Sequence, residues 1–244
     1  MAKKSIQYNQ HTFDISYEII NPDAQVDVII LHGWGSNKGL MKQTFSPFMD
    51  SFRHIYIDLP GFGNSTCPTS LQTSDVARIV ELFMIHVNAS KDIVLGHSFG
   101  GKVALLLNPK VLVLVASAGI YITKPLNIQL KIAATKVFNM IGLRKLRCIF
   151  VAEDAKKLSK PMYETFKRVV NEDFSSEFSH FNGKALLCWG KYDTATPLSS
   201  ASKINELVKD SKLEVYEGDH YFFMKHPEDV SKKIEETFLA LLAH

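Results

Sequence analysis

Residues 93–101 read Ile93-Val94-Leu95-Gly96-His97-Ser98-Phe99-Gly100-Gly101. The apolar triplet predicts a β-strand, and the spacing Gly-x-Ser-x-Gly follows it directly before a predicted helix. At such a turn the serine hydroxyl is lifted clear of the backbone, and flanking glycines are needed because Cβ atoms would collide. The helix N-terminus that begins here favours a developing anion. Ser98 is therefore the candidate nucleophile.

Short apolar runs on both sides of this turn predict further strands. They lie at residues 26–31, 54–58, 111–115, 185–189 and 213–216. Because these runs are apolar without strict alternation, they are typical of a parallel sheet buried on both faces. The sequence therefore predicts an α/β fold in which helices flank a mostly parallel, twisted sheet.

Three other segments complete this prediction. Residues 74–87 carry apolar side chains at helical spacing, and residues 227–242 open like a helix, with a proline and two acids. Residues 13–19 alternate between apolar and polar side chains, which predicts an antiparallel edge strand. Helices and strands thus alternate along most of the chain.

Residues 122–181 interrupt this alternation. No strand signal is found across the span, and residues 127–147 and 155–171 have helical character. We interpret the span as a helical lid, or cap, inserted into an α/β core formed by residues 1–121 and 182–244.

A serine becomes a good nucleophile only when a base takes its proton and a third group orients that base. Asp193 follows the predicted strand 185–189, and His220 follows the predicted strand 213–216. The carboxyl ends of parallel strands share one edge of a sheet, where ligands bind. The order serine, aspartate, histidine is the one expected on such a sheet. The sequence therefore predicts a catalytic triad of Ser98, Asp193 and His220 that transfers acyl groups to water.

Five ordered segments carry a resemblance to a known family. They are Leu31-His32-Gly33-Trp34-Gly35, Asp58-Leu59-Pro60-Gly61-Phe62-Gly63-Asn64-Ser65, Gly96-His97-Ser98-Phe99-Gly100-Gly101, Trp189-Gly190-Lys191-Tyr192-Asp193 and Gly218-Asp219-His220. Over nearly all its length the chain resembles serine hydrolases of the α/β-hydrolase fold. The resemblance implies the same triad, and it implies an oxyanion hole made by the backbone N–H groups of Trp34 and Phe99.

The substrate pocket is predicted to include five residues near these motifs. They are His32, Gly33, His97, Tyr121 and Tyr221. For His97 a packing or pocket-lining role is favoured over that of a base, and His32 is expected to orient its own loop. The chain departs from the family in one respect, because only residues 102–107 separate the serine turn from Asn108-Pro109. The helix after the turn is therefore expected to be about two turns shorter than is typical of the family.

The predicted lid suggests a small acyl or aromatic ester as substrate, because it is apolar. Its apolar residues are Ile122, Leu126, Ile128, Phe138 and Met140, with Tyr121 at its root. The segments around residues 32–35 and 58–63 resemble those of carboxylesterases that act on pimeloyl-carrier-protein methyl esters. A substrate bound to a carrier protein is therefore one expectation beside a free small-molecule ester.

Carbon–carbon bond hydrolases of 2-hydroxy-6-oxo-dienoate ring-cleavage products are the alternative. The surroundings of residues 118–120 and 170–173 resemble those enzymes, which use the same triad. Their chemistry needs a cation for the substrate carboxylate. Arg144, Arg147 and Arg168 lie in the predicted lid, but exposed positions are expected for all three. An esterase is therefore the favoured function.

Two further classes of protein are alternatives to the hydrolase. Gly96, four residues and then Gly101-Lys102 fit a phosphate-binding loop, but Val103 stands where a serine or threonine should hold Mg²⁺. Phosphoryl transfer needs that metal, which argues against a nucleotide hydrolase. A non-catalytic ligand-binding protein on the same scaffold is the remote alternative. Labelling Ser98 with a fluorophosphonate separates a reactive nucleophile from a passive pocket.

Composition excludes several classes of protein. The 244 residues are 46% hydrophobic and carry a formal net charge of +3, too small an excess to indicate nucleic-acid binding. The apolar runs are shorter than a membrane span, and no apolar segment follows the N-terminal lysines as in a secretory signal. Three cysteines without a C-x-x-C pair indicate neither a disulfide framework nor a zinc site. We therefore expect a cytoplasmic protein that uses no metal or organic cofactor and binds no membrane.

Overall fold

A central β-sheet organises the computed structural model, which describes residues 2–121 and 159–243. Within these residues the sheet has eight strands in the order β1-β2-β4-β3-β5-β6-β7-β8. The strands are β1 (Ala2–Tyr8), β2 (His11–Ile20), β3 (Val26–Leu31), β4 (Phe52–Ile57), β5 (Ile93–His97), β6 (Val111–Val115), β7 (Lys184–Gly190) and β8 (Ser211–Tyr216). β2 pairs antiparallel with β1 and β4, and all other neighbours are parallel.

Helices cover both faces of this sheet. They are α1 (Lys38–Phe45), α2 (Thr73–His86), α3 (Phe99–Leu106), α4 (Lys160–Val169), α5 (Ser175–His180), α6 (Leu198–Leu207) and α7 (Pro227–Leu242), with a 3₁₀ turn at Phe222–Met224. Successive residues of the parallel strands belong alternately to two apolar clusters, one on each face of the sheet. α2, α3 and α6 pack in one cluster, and α1 and α7 pack in the other. This burial of both strand faces confirms the predicted α/β fold with a mostly parallel sheet.

The antiparallel edge differs from the prediction. β2 covers the alternating segment 13–19, but β1 lies outside it, so β2 is the second strand and not the edge. A tight turn at Asn9 and Gln10 joins the two strands, and both residues have positive φ angles, of 46° and 64°. Sequence patterning missed β1 because only Ile6 of that strand is fully buried, so it carries no run of apolar residues.

The other predicted strands and the helix predicted at residues 74–87 are confirmed with small shifts of their ends, and α7 matches the predicted residues 227–242. α3 has eight residues, which agrees with the short helix expected after the serine turn. α1 was missed, although Asn37 caps it by accepting a hydrogen bond from the Gly39 N–H at 2.9 Å. An N-cap asparagine before apolar residues at helical spacing is the signal that could have predicted α1.

The predicted lid lies largely outside the described residues. Its apolar residues Ile122, Leu126, Ile128, Phe138 and Met140, together with Arg144 and Arg147, are among those not described. Residues 159–181 form α4 and α5, and in the described part of the chain no strand lies between β6 and β7. The division into a core of 1–121 and 182–244 and a lid of 122–181 stays a prediction.

Candidate active site

Ser98 stands at a strained turn between β5 and α3. Its backbone angles are φ 51° and ψ −116°, a region that residues with a Cβ atom rarely occupy. Hydrogen bonds hold the turn in place. The Ser98 N–H donates to the Val115 carbonyl at 3.1 Å, and the Ser98 carbonyl accepts from Gly101 and Ala118, each at 3.0 Å. Strain of this kind persists only where the surrounding structure enforces it, and it often marks functional sites.

Gly100 packs this turn against the loop that follows β3. A Cβ atom on Gly100 would lie 2.6 Å from the carbonyl oxygen of His32 and 2.8 Å from that of Leu31. A Cβ atom on Gly96 would collide with the backbone of Gly100 itself. The two glycines therefore let the serine turn and the loop of the predicted oxyanion hole approach each other closely.

Asp193 and His220 meet at the carboxyl ends of β7 and β8. The His220 ring lies with Nδ1 2.7 Å from Asp193 Oδ2. Asp193 Oδ1 accepts hydrogen bonds from the backbone N–H groups of Ala195 at 2.8 Å and Thr196 at 2.9 Å. Burial alone raises the pKa of this carboxyl, but the hydrogen bonds from His220 and Thr196 outweigh it, and the pKa of Asp193 lies below its usual value. The carboxylate is therefore charged and fixed in orientation.

Thr196 is a neighbour of this pair that sequence reasoning missed. Its Oγ1 lies 2.8 Å from Asp193 Oδ2 and 3.0 Å from the Ala116 carbonyl oxygen, and its one hydroxyl proton can serve one of them at a time. The same oxygen is 3.4 Å from His220 Nδ1. A threonine three residues after the aspartate, in a loop that closes back on it, is the signal that could have predicted this contact.

Ser98 and His220 are not joined by a hydrogen bond in this structure. Among the described residues Ser98 Oγ has no hydrogen-bond partner. The two residues are nevertheless brought close together, because the ring of His97, next to Ser98, lies 4.8 Å from the ring of His220. Catalytic hydrogen bonds are often loose without substrate and tighten when it binds. The structure therefore brings Asp193 and His220 into contact and places His220 beside the serine turn.

Trp34 and Phe99 line the same cleft as Ser98. Their rings pack edge to face, with centroids 5.5 Å apart. Neither backbone N–H group donates to another described residue. Free N–H groups beside a nucleophile are suited to hold an oxyanion, so the geometry supports the predicted role of both residues.

His32 departs from its predicted place in the pocket. Its ring is fully buried, with Nδ1 2.7 Å from the Gly33 carbonyl oxygen and Nε2 3.0 Å from the Leu59 N–H, which donates to it. Burial lowers the pKa of His32 to about 4, so the ring is neutral. His32 therefore joins two loops behind the site. Gly33 also packs inward, since a Cβ atom there would lie 2.9 Å from His97 Nδ1 and 3.0 Å from Ser98 Cβ.

His97 and Tyr221 likewise lie outside the cleft lining. The His97 ring is 1% exposed and packs on the rings of His220, Tyr221 and Phe223 at 4.8, 5.3 and 4.8 Å. Its Nε2 lies 3.2 Å from the His220 carbonyl oxygen, to which it can donate. Burial lowers the pKa of His97 to about 3. His97 thus supports the loop of the candidate base, and Tyr221 is a half-exposed ring at the edge of this cluster.

The cleft at Ser98 has a volume of about 220 Å³ and a mainly apolar wall. Its apolar lining consists of Trp34, Phe99, Ala118, Phe166, Val169, Val170 and Ala195. Ser98, Lys102 and Thr196 complete the lining. A second cavity of about 180 Å³ adjoins the cleft, and Tyr121 lines this one instead. Sequence reasoning missed the contribution of Lys102 and of α4, because both depend on contacts between distant parts of the chain.

Lys102 is a buried cation at the junction of the two cavities. Its Nζ donates to the Val169 carbonyl oxygen at 2.6 Å and to Glu172 Oε2 at 2.9 Å, and Glu172 also accepts from the hydroxyl of Thr73. Burial lowers the pKa of Lys102, and Glu172 opposes that shift. Arg168, by contrast, is exposed as expected. Lys102 therefore anchors the segment that forms one cleft wall.

The described residues offer neither a metal cluster nor a membrane-spanning helix. Within the described ranges, no group of three or more His, Cys, Asp or Glu side chains is arranged to hold a metal ion. None of the described helices combines the length and apolar character that crossing a membrane requires.

The buried histidine at position 97 makes a testable contribution to pH-dependent stability. Its pKa is about 3 in the folded state and near 6.5 when unfolded, so lowering the pH through this window protonates the unfolded chain first and destabilises the fold. Between pH 6.5 and 5 this protonation lowers the free energy of unfolding by about 1.5 kcal/mol. We expect His97→Phe to remove that share of the decline in the free energy of unfolding, measured by urea denaturation at both pH values.

His11→Phe is the matched control, because His11 is exposed on β2 and solvent reaches its ring in both states. The control should follow the wild-type decline. If His97→Phe declines in parallel with the wild type, the ring is not held neutral by burial.

The sequence is similar to known proteins over most of its length. A sequence model of the alpha/beta hydrolase family matches residues 28–233. A curated relative is the pimeloyl-[acyl-carrier protein] methyl ester esterase of Vibrio campbellii, 24% identical over 241 residues. The alignment covers 86% of this chain and 93% of that relative.

Solved structures share the fold over nearly all of the chain. The esterase EaEST from Exiguobacterium antarcticum superposes with a TM-score of 0.75 at 22% identity, covering 97% of this chain and 99% of that one. The meta-cleavage product hydrolase of Pseudomonas fluorescens gives a TM-score of 0.71 at 16% identity, covering 97% of each chain. At these identities the likeness establishes the fold alone.

Proposed function

The chain belongs to the alpha/beta hydrolase family, and we propose that it is a serine esterase that cleaves small carboxylic esters through an acyl-enzyme. The observation that carries this proposal is the strained Ser98 turn beside a His220 ring that Asp193 holds at 2.7 Å. A nucleophile, a base and an orienting carboxylate in one place are the parts that acyl transfer requires.

The proposed reaction begins with attack of Ser98 Oγ on the ester carbonyl carbon. His220 Nε2 takes the hydroxyl proton, while Asp193 keeps the other ring proton on Nδ1 and stabilises the imidazolium. The free N–H groups of Trp34 and Phe99 hold the oxyanion that forms on the carbonyl oxygen.

The second half of the reaction releases the acid. The imidazolium of His220 gives its proton to the departing alcohol, and the ester bond breaks to leave the acyl group on Ser98. The same ring then takes a proton from water, which attacks the acyl-enzyme and frees the carboxylic acid. All proton transfers use this chain's own side chains.

The substrate class follows from the cleft. A volume of about 220 Å³ with an apolar wall suits a short acyl chain better than a long fatty acid. The curated relative is named for a methyl ester of an acyl group carried on a protein. A carrier-protein-bound acyl ester is therefore the finer form of the proposal, beside a free ester of similar length.

Carbon–carbon bond hydrolysis is the second candidate, because a meta-cleavage product hydrolase shares the fold. That chemistry requires a cation for the substrate carboxylate. Among the described lining residues of the cleft, Lys102 is the one cation, and Glu172 at 2.9 Å already compensates its charge. A second carboxylate would have no free counter-charge there, which favours the esterase.

A panel of substrates tests the choice between these reactions. p-Nitrophenyl esters of increasing chain length and a 2-hydroxy-6-oxo-dienoate are compared by kcat/KM. We expect the best short-chain ester to exceed the dienoate by roughly 100-fold, the cost of an unpaired carboxylate. A methyl ester on an acyl-carrier protein, compared with the same ester free in solution, tests the finer form. Faster turnover of the dienoate would overturn the esterase proposal.

A further inference from the structure

The cleft at Ser98 and the second cavity adjoin each other and share five lining residues. Lys102, Ala118, Val170, Ala195 and Thr196 line both of them. Lys102 follows Ser98 by four residues, one turn along α3, which is about 6 Å along the helix axis. An extended chain spans that distance in about five bonds. An acyl group of about that length, attached to Ser98, is therefore long enough to extend from the cleft toward the second cavity.

The wall of the second cavity is mixed and is more polar than that of the cleft. The charges of Lys102 and Glu172, which both line it, compensate each other. Lys102 is 4% exposed, and Glu172 Oε2 lies 2.9 Å from its Nζ. The ammonium group has three hydrogens, of which Glu172 and the Val169 carbonyl take two. Among the described residues the third has no oxygen or nitrogen acceptor, although the rings of Phe99 and Phe174 lie 5.5 and 5.2 Å from Nζ. A neutral acceptor suits this donor, whereas a carboxylate would compete with Glu172 for the same cation.

Ser200 supplies an independent observation in the same cavity. It lies in the first turn of α6, is 3% exposed, and lines the second cavity. Its Oγ has no hydrogen-bond partner among the described residues. A buried hydroxyl without a partner is destabilising, and an acceptor atom supplied by a ligand removes that cost. Ser117 lines the cavity too, but its hydroxyl already donates to the Ala118 carbonyl at 2.7 Å.

We propose that the second cavity is a subsite for a neutral carbonyl oxygen on the acyl chain, about four to five bonds from the reacting carbon, and that Ser200 determines this specificity. A ketone, ester or amide oxygen has the required chemistry. The inference rests on the proposed esterase function and narrows it, because it names the acyl group the site prefers. Ser200 does not act on the reacting bond; it holds the far end of the substrate.

Three p-nitrophenyl esters of matched length test this subsite. They are the pentanoate, the 4-oxopentanoate and the glutarate monoester, which differ in having an apolar, a neutral carbonyl or an anionic end. Each kcat/KM is divided by the rate of alkaline hydrolysis of the same ester, which removes differences in intrinsic reactivity. We expect the wild type to prefer the 4-oxopentanoate over the pentanoate by about tenfold, the effect of one additional hydrogen bond.

Ser200→Ala should reduce that ratio to near one. Ser199→Ala is the matched control, because Ser199 is exposed on the same helix and lines neither cavity, so the wild-type ratio should persist. Both esters are measured on the same enzyme preparation, so partial unfolding of a variant cancels from the ratio. An unchanged ratio in Ser200→Ala, or a wild-type preference for the glutarate monoester, would overturn the subsite. Absence of hydrolysis of all three esters by the wild type would contradict the esterase proposal itself.

Discussion

Ser98→Ala should lower kcat for a short p-nitrophenyl ester by about 10⁶-fold, and His220→Ala should cost nearly as much. Both residues act in one step, since the hydroxyl is a weak nucleophile until the imidazole removes its proton. The double variant should therefore be no slower than either single variant. Initial rates at saturating substrate, followed at high enzyme concentration, measure the effect.

The fold should survive the loss of the hydroxyl. Ser98 Oγ has no partner among the described residues, and alanine at φ 51° is strained to the same degree as serine. Thermal unfolding of Ser98→Ala should therefore match the wild type within a few degrees. Ser202→Ala, an exposed serine on α6, serves as the control and should retain full turnover. Wild-type turnover by Ser98→Ala would remove the serine from the reaction.

Asp193→Asn has the second largest expected effect, a loss of about 10⁴-fold in kcat. Two backbone N–H groups donate to Asp193 Oδ1, so the amide oxygen of the replacement takes that position. The amide nitrogen must then face His220 Nδ1 and donate to it. The ring proton is thereby forced onto Nε2, the atom that should accept the proton of Ser98.

Asp219→Asn is the matched control for this change. Asp219 precedes His220 in the chain, but it is exposed and its Oδ1 accepts from the Tyr221 N–H at 2.9 Å. We expect kcat within a few-fold of the wild type. Equal losses from the two variants would mean that charge near the loop, and not the tautomer of His220, sets the rate.

The sequence predicted the parts of the site that depend on local chain geometry. A strand followed by a glycine-flanked serine can fold in few ways, so the Ser98 turn was evident from residues 93–101 alone. Asp193 and His220 followed because parallel strands end at one edge of a sheet. Their direct contact at 2.7 Å agrees with that expectation.

Features that depend on long-range contact could not be predicted in the same way. Lys102 and Glu172 form an ion pair across 70 residues, and Ser200 enters the second cavity from a helix that carried no clear signal. For His32 and His97 the sequence leaves a pocket-lining role open beside loop orientation and packing. Both rings are buried and hold loops, and only the three-dimensional contacts decide between these roles.

Reaction with a fluorophosphonate tests the central proposal most directly, because it requires an activated serine but no particular substrate. We expect the wild type to take up one equivalent, located on Ser98 by peptide mass spectrometry, and we expect His220→Ala to react far more slowly. A wild-type protein that is not labelled, or that is labelled on another residue while Ser98 stays free, would contradict the proposed mechanism.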